Sequence, residues 1–170
     1  MRRTVPLSRG NPMALALTRY RLLIDLIILA GGLMAGWSLG GQNLFYSLLR
    51  PEITADTVSA DEAYHLLAEG SIILIDIRRP DEWAATGSPE GAIQLDMRRD
   101  DFVPALTDLV EGRTDAPIAL ICARGVRSAR VSNRLNDAGF TDIMDVPEGM
   151  LGSAAGPGWL ARDLPVARNG

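Results

Sequence analysis

The sequence predicts an α/β fold: a central parallel sheet of about five short strands flanked by helices, preceded by one N-terminal transmembrane helix. Three observations carry that expectation. Two uninterrupted apolar runs, Ser71-Ile-Ile-Leu-Ile-Asp-Ile77 and Pro117-Ile-Ala-Leu-Ile-Cys122, read as strands covered on both faces, as parallel strands are. Segments with helix starts and stops alternate with them. A long uncharged stretch, Leu26 to Leu49, lies ahead of all of these.

In chain order, residues 1–21 form a basic N-terminus and residues 22–49 a transmembrane helix or signal-anchor. A helix needs about 20 mainly apolar residues to span a bilayer, and Leu26–Leu49 supplies 24 without a formal charge. The alternative frame, Leu22–Leu39, is more apolar but includes Asp25. All 17 basic residues are Arg, and they are unevenly placed. Before position 50 five Arg face one acid, Asp25; from Arg50 onward 12 Arg face 20 acids. By the positive-inside rule the N-terminus stays in the cytoplasm and the following domain lies across the membrane, in the periplasm of a bacterium. Trp37, Phe45 and Tyr46 fall where an outer aromatic belt would sit. The expected location is therefore the bacterial inner membrane, single-pass, with secretion after signal cleavage as the alternative. Gly32, Gly36 and Gly40 share a helix face, which allows a homodimer through that helix.

The remaining chain, residues 53–168, reads as one compact domain. Ser59-Ala-Asp-Glu62 is a capping box that opens a helix stopped by Gly70. The strand Ser71–Ile77 follows, and Pro80-Asp-Glu-Trp-Ala-Ala starts a short helix. Gly91-Ala-Ile-Gln-Leu gives a short strand and Asp101–Glu111 a helix. Pro117–Cys122 is the central strand, Ser128–Ala138 a helix ended by Gly139, and Asp142–Val146 the last strand.

The only cysteine, Cys122, ends the central strand and opens the run Ala123-Arg-Gly-Val-Arg-Ser128. Active sites of such sheets lie at the carboxyl ends of strands. Loop amides, a helix N-terminus and the guanidinium groups of Arg124 and Arg127 all favour thiolate over thiol, which makes Cys122 a candidate nucleophile. A lone cysteine cannot form an internal disulfide, which in an oxidising compartment leaves either a protected reactive thiol or a buried inert one, and the loop favours the reactive choice. No Lys/Arg run with interleaved aromatics points to nucleic acid, and no cluster has metal-ligand spacing. His65 lacks a second imidazole or a plausible thiol partner, so it reads as surface or packing. No cofactor is expected.

These segments resemble the rhodanese-like sulfurtransferases. The resemblance covers residues 53–166 and rests on the order of Leu74-Ile-Asp-Ile-Arg78, Asp81-Glu-Trp83, Pro89-Glu-Gly-Ala-Ile93, Cys122-Ala-Arg-Gly-Val-Arg-Ser128, Glu148-Gly149-Met150 and Gly158-Trp159 to Leu164-Pro165-Val166. It implies a rhodanese-like fold and a two-step transfer. In it, Cys122 takes a sulfane sulfur from thiosulfate or a similar small anionic donor and passes it to a thiol or cyanide acceptor through a persulfide. Backbone amides of Ala123, Arg124, Gly125, Val126, Arg127 and Ser128 would cradle the sulfur, Arg124 and Arg127 would bind the donor, and Asp76 and Arg78 would brace the sheet end. Related phosphatase loops place five residues between Cys and the anion-binding Arg; four separate Cys122 from Arg127, a size suited to one sulfur. The resemblance leaves a second function class open, a non-catalytic persulfide carrier or partner-binding module tethered at the membrane. Three positions depart from the family pattern. Gly87 stands where many relatives carry a Gly-His-Ile segment, so no auxiliary role for that His is carried over. Asp163 stands where Gly is common, and the single Gly149 replaces a frequent Gly-Gly, so local loop shape is not carried over there.

Overall fold

A computed structural model describes residues 42–52 and 55–168. Residues 1–41 are outside them, and with them most of the expected membrane segment and its glycine face. Among the described residues no helix is long and apolar enough to cross a membrane.

The sheet is built from five parallel strands in the order β1 (Asp56–Thr57), β6 (Ile143–Asp145), β5 (Ile118–Ile121), β2 (Ile73–Asp76) and β4 (Ile93–Gln94). A separate antiparallel pair joins β3 (Ser88–Pro89) to β7 (Val166–Ala167). Helices α1 (Gln42–Leu49), α2 (Ala60–Ala68), α3 (Pro80–Thr86), α4 (Phe102–Leu109) and α5 (Val126–Asp137) complete the described architecture, with a 3-10 turn at Leu160–Arg162.

The two apolar runs are continuous because both sheet faces are covered. Side chains alternate along a strand, so Ile118, Leu120 and Cys122 join one core with Phe102, Leu106, Val131 and Leu135 of α4 and α5. Ala119 and Ile121 face the other core, with Ala60, Ala63, Met150 and Trp159. Residues of both cores are almost fully withdrawn from solvent. Cys122 therefore leaves the strand on the α4/α5 side, and this position decides where the site is.

Several boundaries differ from expectation for local physical reasons. The helix expected at Ser128 starts two residues earlier, because Gly125 takes the left-handed φ of 77° and serves as its N-cap. The helix expected over Asp101–Glu111 ends at Leu109, and Glu111 turns to φ 55° ahead of Gly112. Strand β1 is two polar residues at the sheet edge, too short to show a period. Asp163 adopts φ 53°, the left-handed conformation that Asp tolerates better than most side chains.

The compact unit containing the sheet starts at Gln42 rather than at 53. Residues 42–49, counted with the membrane segment from sequence, form α1, which packs on α5. Three contacts hold this part of the chain. Arg124 stacks 5.4 Å over the Tyr46 ring, Arg50 pairs with the buried Asp145, and Asn133 Nδ2 donates to Glu52 O at 3.0 Å.

Candidate active site

Cys122 is the residue after β5 and is 1% exposed, yet it lines a cavity of about 380 Å³. The thiol is thus at the wall of a recess. The turn that follows is tightly determined. A Cβ at Gly125 would lie 2.2 Å from Pro147 O, and one at Gly149 would lie 2.6 Å from the Ala123 carbonyl. The two loops are stitched by Met150 N to Cys122 O and Leu151 N to Ala123 O, both at 2.9 Å. Only glycine permits that approach. Ala129 N makes an early intrahelical bond of α5, to Gly125 O at 3.3 Å, so the amides of Val126, Arg127 and Ser128 precede it in the free first turn.

Loop 147–150 is itself anchored by a carboxylate that the sequence did not single out beyond its motif. Glu148, 2% exposed, accepts from Gly158 N at 2.9 Å and from Arg162 Nε and Nη2 at 2.9 and 2.8 Å. Burial pushes its carboxyl up, but these donors outweigh it and hold the group below its ordinary range.

Ser128 brings its hydroxyl to 3.5 Å from Cys122 Sγ. The same hydroxyl neighbours Asp145, at the end of β6, and helps to lower its pKa. Burial is the larger effect there and raises Asp145 overall, despite the Arg50 guanidinium. Asp145 Oδ1 is buried without a hydrogen-bond partner.

The two arginines expected to bind the donor are both otherwise engaged. Arg127 Nη1 and Nη2 donate to Glu82 Oε2 and Oε1 at 2.7 and 2.6 Å. Glu82 bonding, more than the nearby Cys122 sulfur, raises the Arg127 pKa. Arg124 Nη1 donates to Gly152 O at 2.9 Å while its guanidinium lies over Tyr46. Glu82, Arg124, Arg127 and Arg130 all line the cavity. Burial raises Glu82, but the Arg127 hydrogen bond, the Arg79 amide and both guanidinium charges prevail and lower it. Nothing in the sequence singles out Arg130, and Glu82 stands out only as part of the Asp81-Glu-Trp83 motif. In the fold Glu82, three residues after Arg79, accepts its N–H at 3.1 Å in a capping arrangement.

Asp76, the last residue of β2, and Arg78 pair at the end of that strand. Arg78, 1% exposed, donates to Asp76 Oδ1 and Oδ2 at 2.9 and 2.7 Å, to Gly87 O at 2.6 Å and to Thr86 Oγ1 at 2.8 Å. Ser88 Oγ adds a bond to Asp76 at 2.8 Å. His65 is exposed beside Asp61 and Tyr64, away from the cavity. Among the described residues no group of three His, Cys, Asp or Glu side chains is placed to hold a metal ion.

A parallel α/β domain with a buried cysteine at the carboxyl end of its central strand, in a glycine-shaped turn rich in arginine, defines a class of thiol-based transfer proteins. Residues 59–155 match the family model of the Rhodanese-like domain, and the chain belongs to that family. Among solved structures it is similar to the homodimeric polysulfide-sulfur transferase of Wolinella succinogenes, with 30% identity, a TM-score of 0.53, and coverage of 68% of this chain and 80% of that one. It shares the fold of the thiosulfate sulfurtransferase of Pseudomonas aeruginosa, at 21% identity, TM-score 0.55, over 68% of this chain and 21% of that one. A tRNA uridine(34) hydroxylase of Prochlorococcus marinus is 32% identical over 61% of this chain and 35% of its own length.

Proposed function

We propose that the protein is a sulfurtransferase that carries sulfane sulfur on Cys122. The observation that supports this most is the thiol itself, nearly buried yet lining a cavity and hydrogen-bonded by Ser128. The Cys122 thiolate attacks the outer sulfur of thiosulfate or a similar donor; an S–S bond forms, and the donor's own S–S bond breaks with its electron pair leaving on sulfite. A thiolate or cyanide then attacks the terminal sulfur, and the electron pair of the breaking bond returns to Cys122 as thiolate. Amides of residues 123–128 stabilise the charge on sulfur in both steps. The Wolinella relative, a polysulfide-sulfur transferase by name, favours this reading. Purified protein should release sulfite from thiosulfate in the presence of cyanide, and Cys122→Ser should abolish release. Absence of turnover in the unaltered chain would favour the alternative, a tethered carrier or partner-binding module.

The same reading places the protein at the bacterial inner membrane with this domain in the periplasm. It rests on the arginine bias and the apolar composition of residues 22–41, since 42–49 pack on the domain. A reporter fused after Gly170 should be active only in the periplasm, and cytoplasmic activity would refute the orientation.

A further inference from the structure

The cavity at Cys122 is far larger than a five-atom oxyanion requires, and its walls are not uniformly polar. Tyr46 and Leu49 of α1 and Leu151 of the facing loop form an apolar side. Leu49 and Leu151 are 43% and 45% exposed, which is costly for large aliphatic side chains unless something covers them. Helix α1 is a fixed wall, because the Arg124 guanidinium lies against Tyr46 while donating to Gly152 O.

The charges of the cavity are equally selective. Arg127 is neutralised by a two-point pair with Glu82, and a second anion there would meet the Glu82 carboxylate. Arg130 differs. It lies one helical turn beyond Arg127 on the same face of α5, is exposed at the cavity, and has neither an ion-pair nor a hydrogen-bond partner among the described residues. A guanidinium so placed matches a carboxylate.

We infer that the cavity binds, as sulfur acceptor, an organic thiol that carries a carboxylate: its apolar body lies against Tyr46, Leu49 and Leu151, its carboxylate pairs with Arg130, and its sulfur points to Cys122. The inference rests on the sulfurtransferase reading and names its acceptor class. The acceptor loses its thiol proton to solvent, its thiolate attacks the terminal sulfur of the Cys122 persulfide, and the product leaves as an organic persulfide while Cys122 regains the electron pair.

The test uses the full chain carrying Cys122→Ser, titrated by calorimetry with N-acetylcysteine and with its methyl ester. The acid should bind about tenfold more tightly than the ester, the contribution of one charge-assisted pair. Adding Arg130→Gln should erase that ratio, Arg130→Lys should restore part of it, and Tyr46→Ala should weaken acid and ester alike. Arg130 is on the surface, so its replacement leaves the fold intact, which circular dichroism checks. Equal binding of acid and ester, or a preference that survives Arg130→Gln, overturns the inference. Thiosulfate-dependent turnover, measured in parallel on the unaltered full chain, judges the sulfurtransferase reading separately. An Arg130-dependent preference supports the acceptor site whatever that turnover is.

Discussion

Glu82 grips Arg127 through both carboxylate oxygens, at 2.6 and 2.7 Å, across 45 residues of sequence. The pair fastens α3 to the first turn of α5 beside the thiol, and it takes from Arg127 most of its capacity to hold a dianion. Glu82→Gln should release that capacity while keeping the bond to the Arg79 amide. The KM for thiosulfate should fall by about two- to fivefold, the worth of a partly buried ion pair at the surface. Steady-state kinetics with the two proteins checks it, and an unchanged or higher KM contradicts it.

The same carboxylate leaves a signature in stability against pH. The Glu82 pKa is lowered in the fold below its ordinary 4.5, so its contribution is fully present above 4.5 and is lost as pH falls through the folded value. The stability gap between the unaltered protein and Glu82→Gln should be flat from neutrality to about pH 5 and close in stronger acid. Asp145 has the opposite sign, because burial raises it above its ordinary 3.8. Its charged form costs stability at neutral pH, and the cost is relieved as pH falls through the raised value. Asp145→Asn should therefore compare best at neutral pH and worst in acid. Urea titrations across that range measure both.

Arg78 is nearly fully buried on Asp76, so removing one partner strands a charge. Arg78→Met should cost about 3–5 kcal/mol of unfolding free energy. The double change Asp76→Asn with Arg78→Met should recover a substantial part, since no uncompensated charge remains. Chemical denaturation of the single and double variants decides this.

Gly125 tests the turn. A Cβ there would meet Pro147 O at 2.2 Å on a backbone with φ 77°, so Gly125→Ala must move the loop that carries the α5 amides. A displacement of about 1 Å at a reacting group can cost about a hundredfold in rate. Turnover should fall by that order while the circular dichroism spectrum is retained.

Much of this was legible in the sequence, for identifiable reasons. The runs 71–77 and 117–122 were readable as buried strands because both faces of β2 and β5 are covered, which leaves no polar alternation to confuse with a helix. Cys122 was legible because chemistry-bearing residues crowd one strand end. The edge strand β1 and the β3–β7 pair were not, being two residues each and held by their partners' backbone. The fate of Arg124 and Arg127 was hidden for a different reason. A side chain's partner depends on tertiary approach, and neither Glu82 nor Tyr46 is near them in sequence. Composition alone puts Tyr46 at the edge of a bilayer segment, whereas a stacked guanidinium fixes it to the domain.

The central claim is that Cys122 carries transferable sulfur. The most direct measurement is intact mass of the full chain after incubation with thiosulfate and removal of excess donor. The account predicts a gain of one sulfur atom, discharged by cyanide and absent from Cys122→Ser. An unchanged mass, or the same gain in Cys122→Ser, would contradict it.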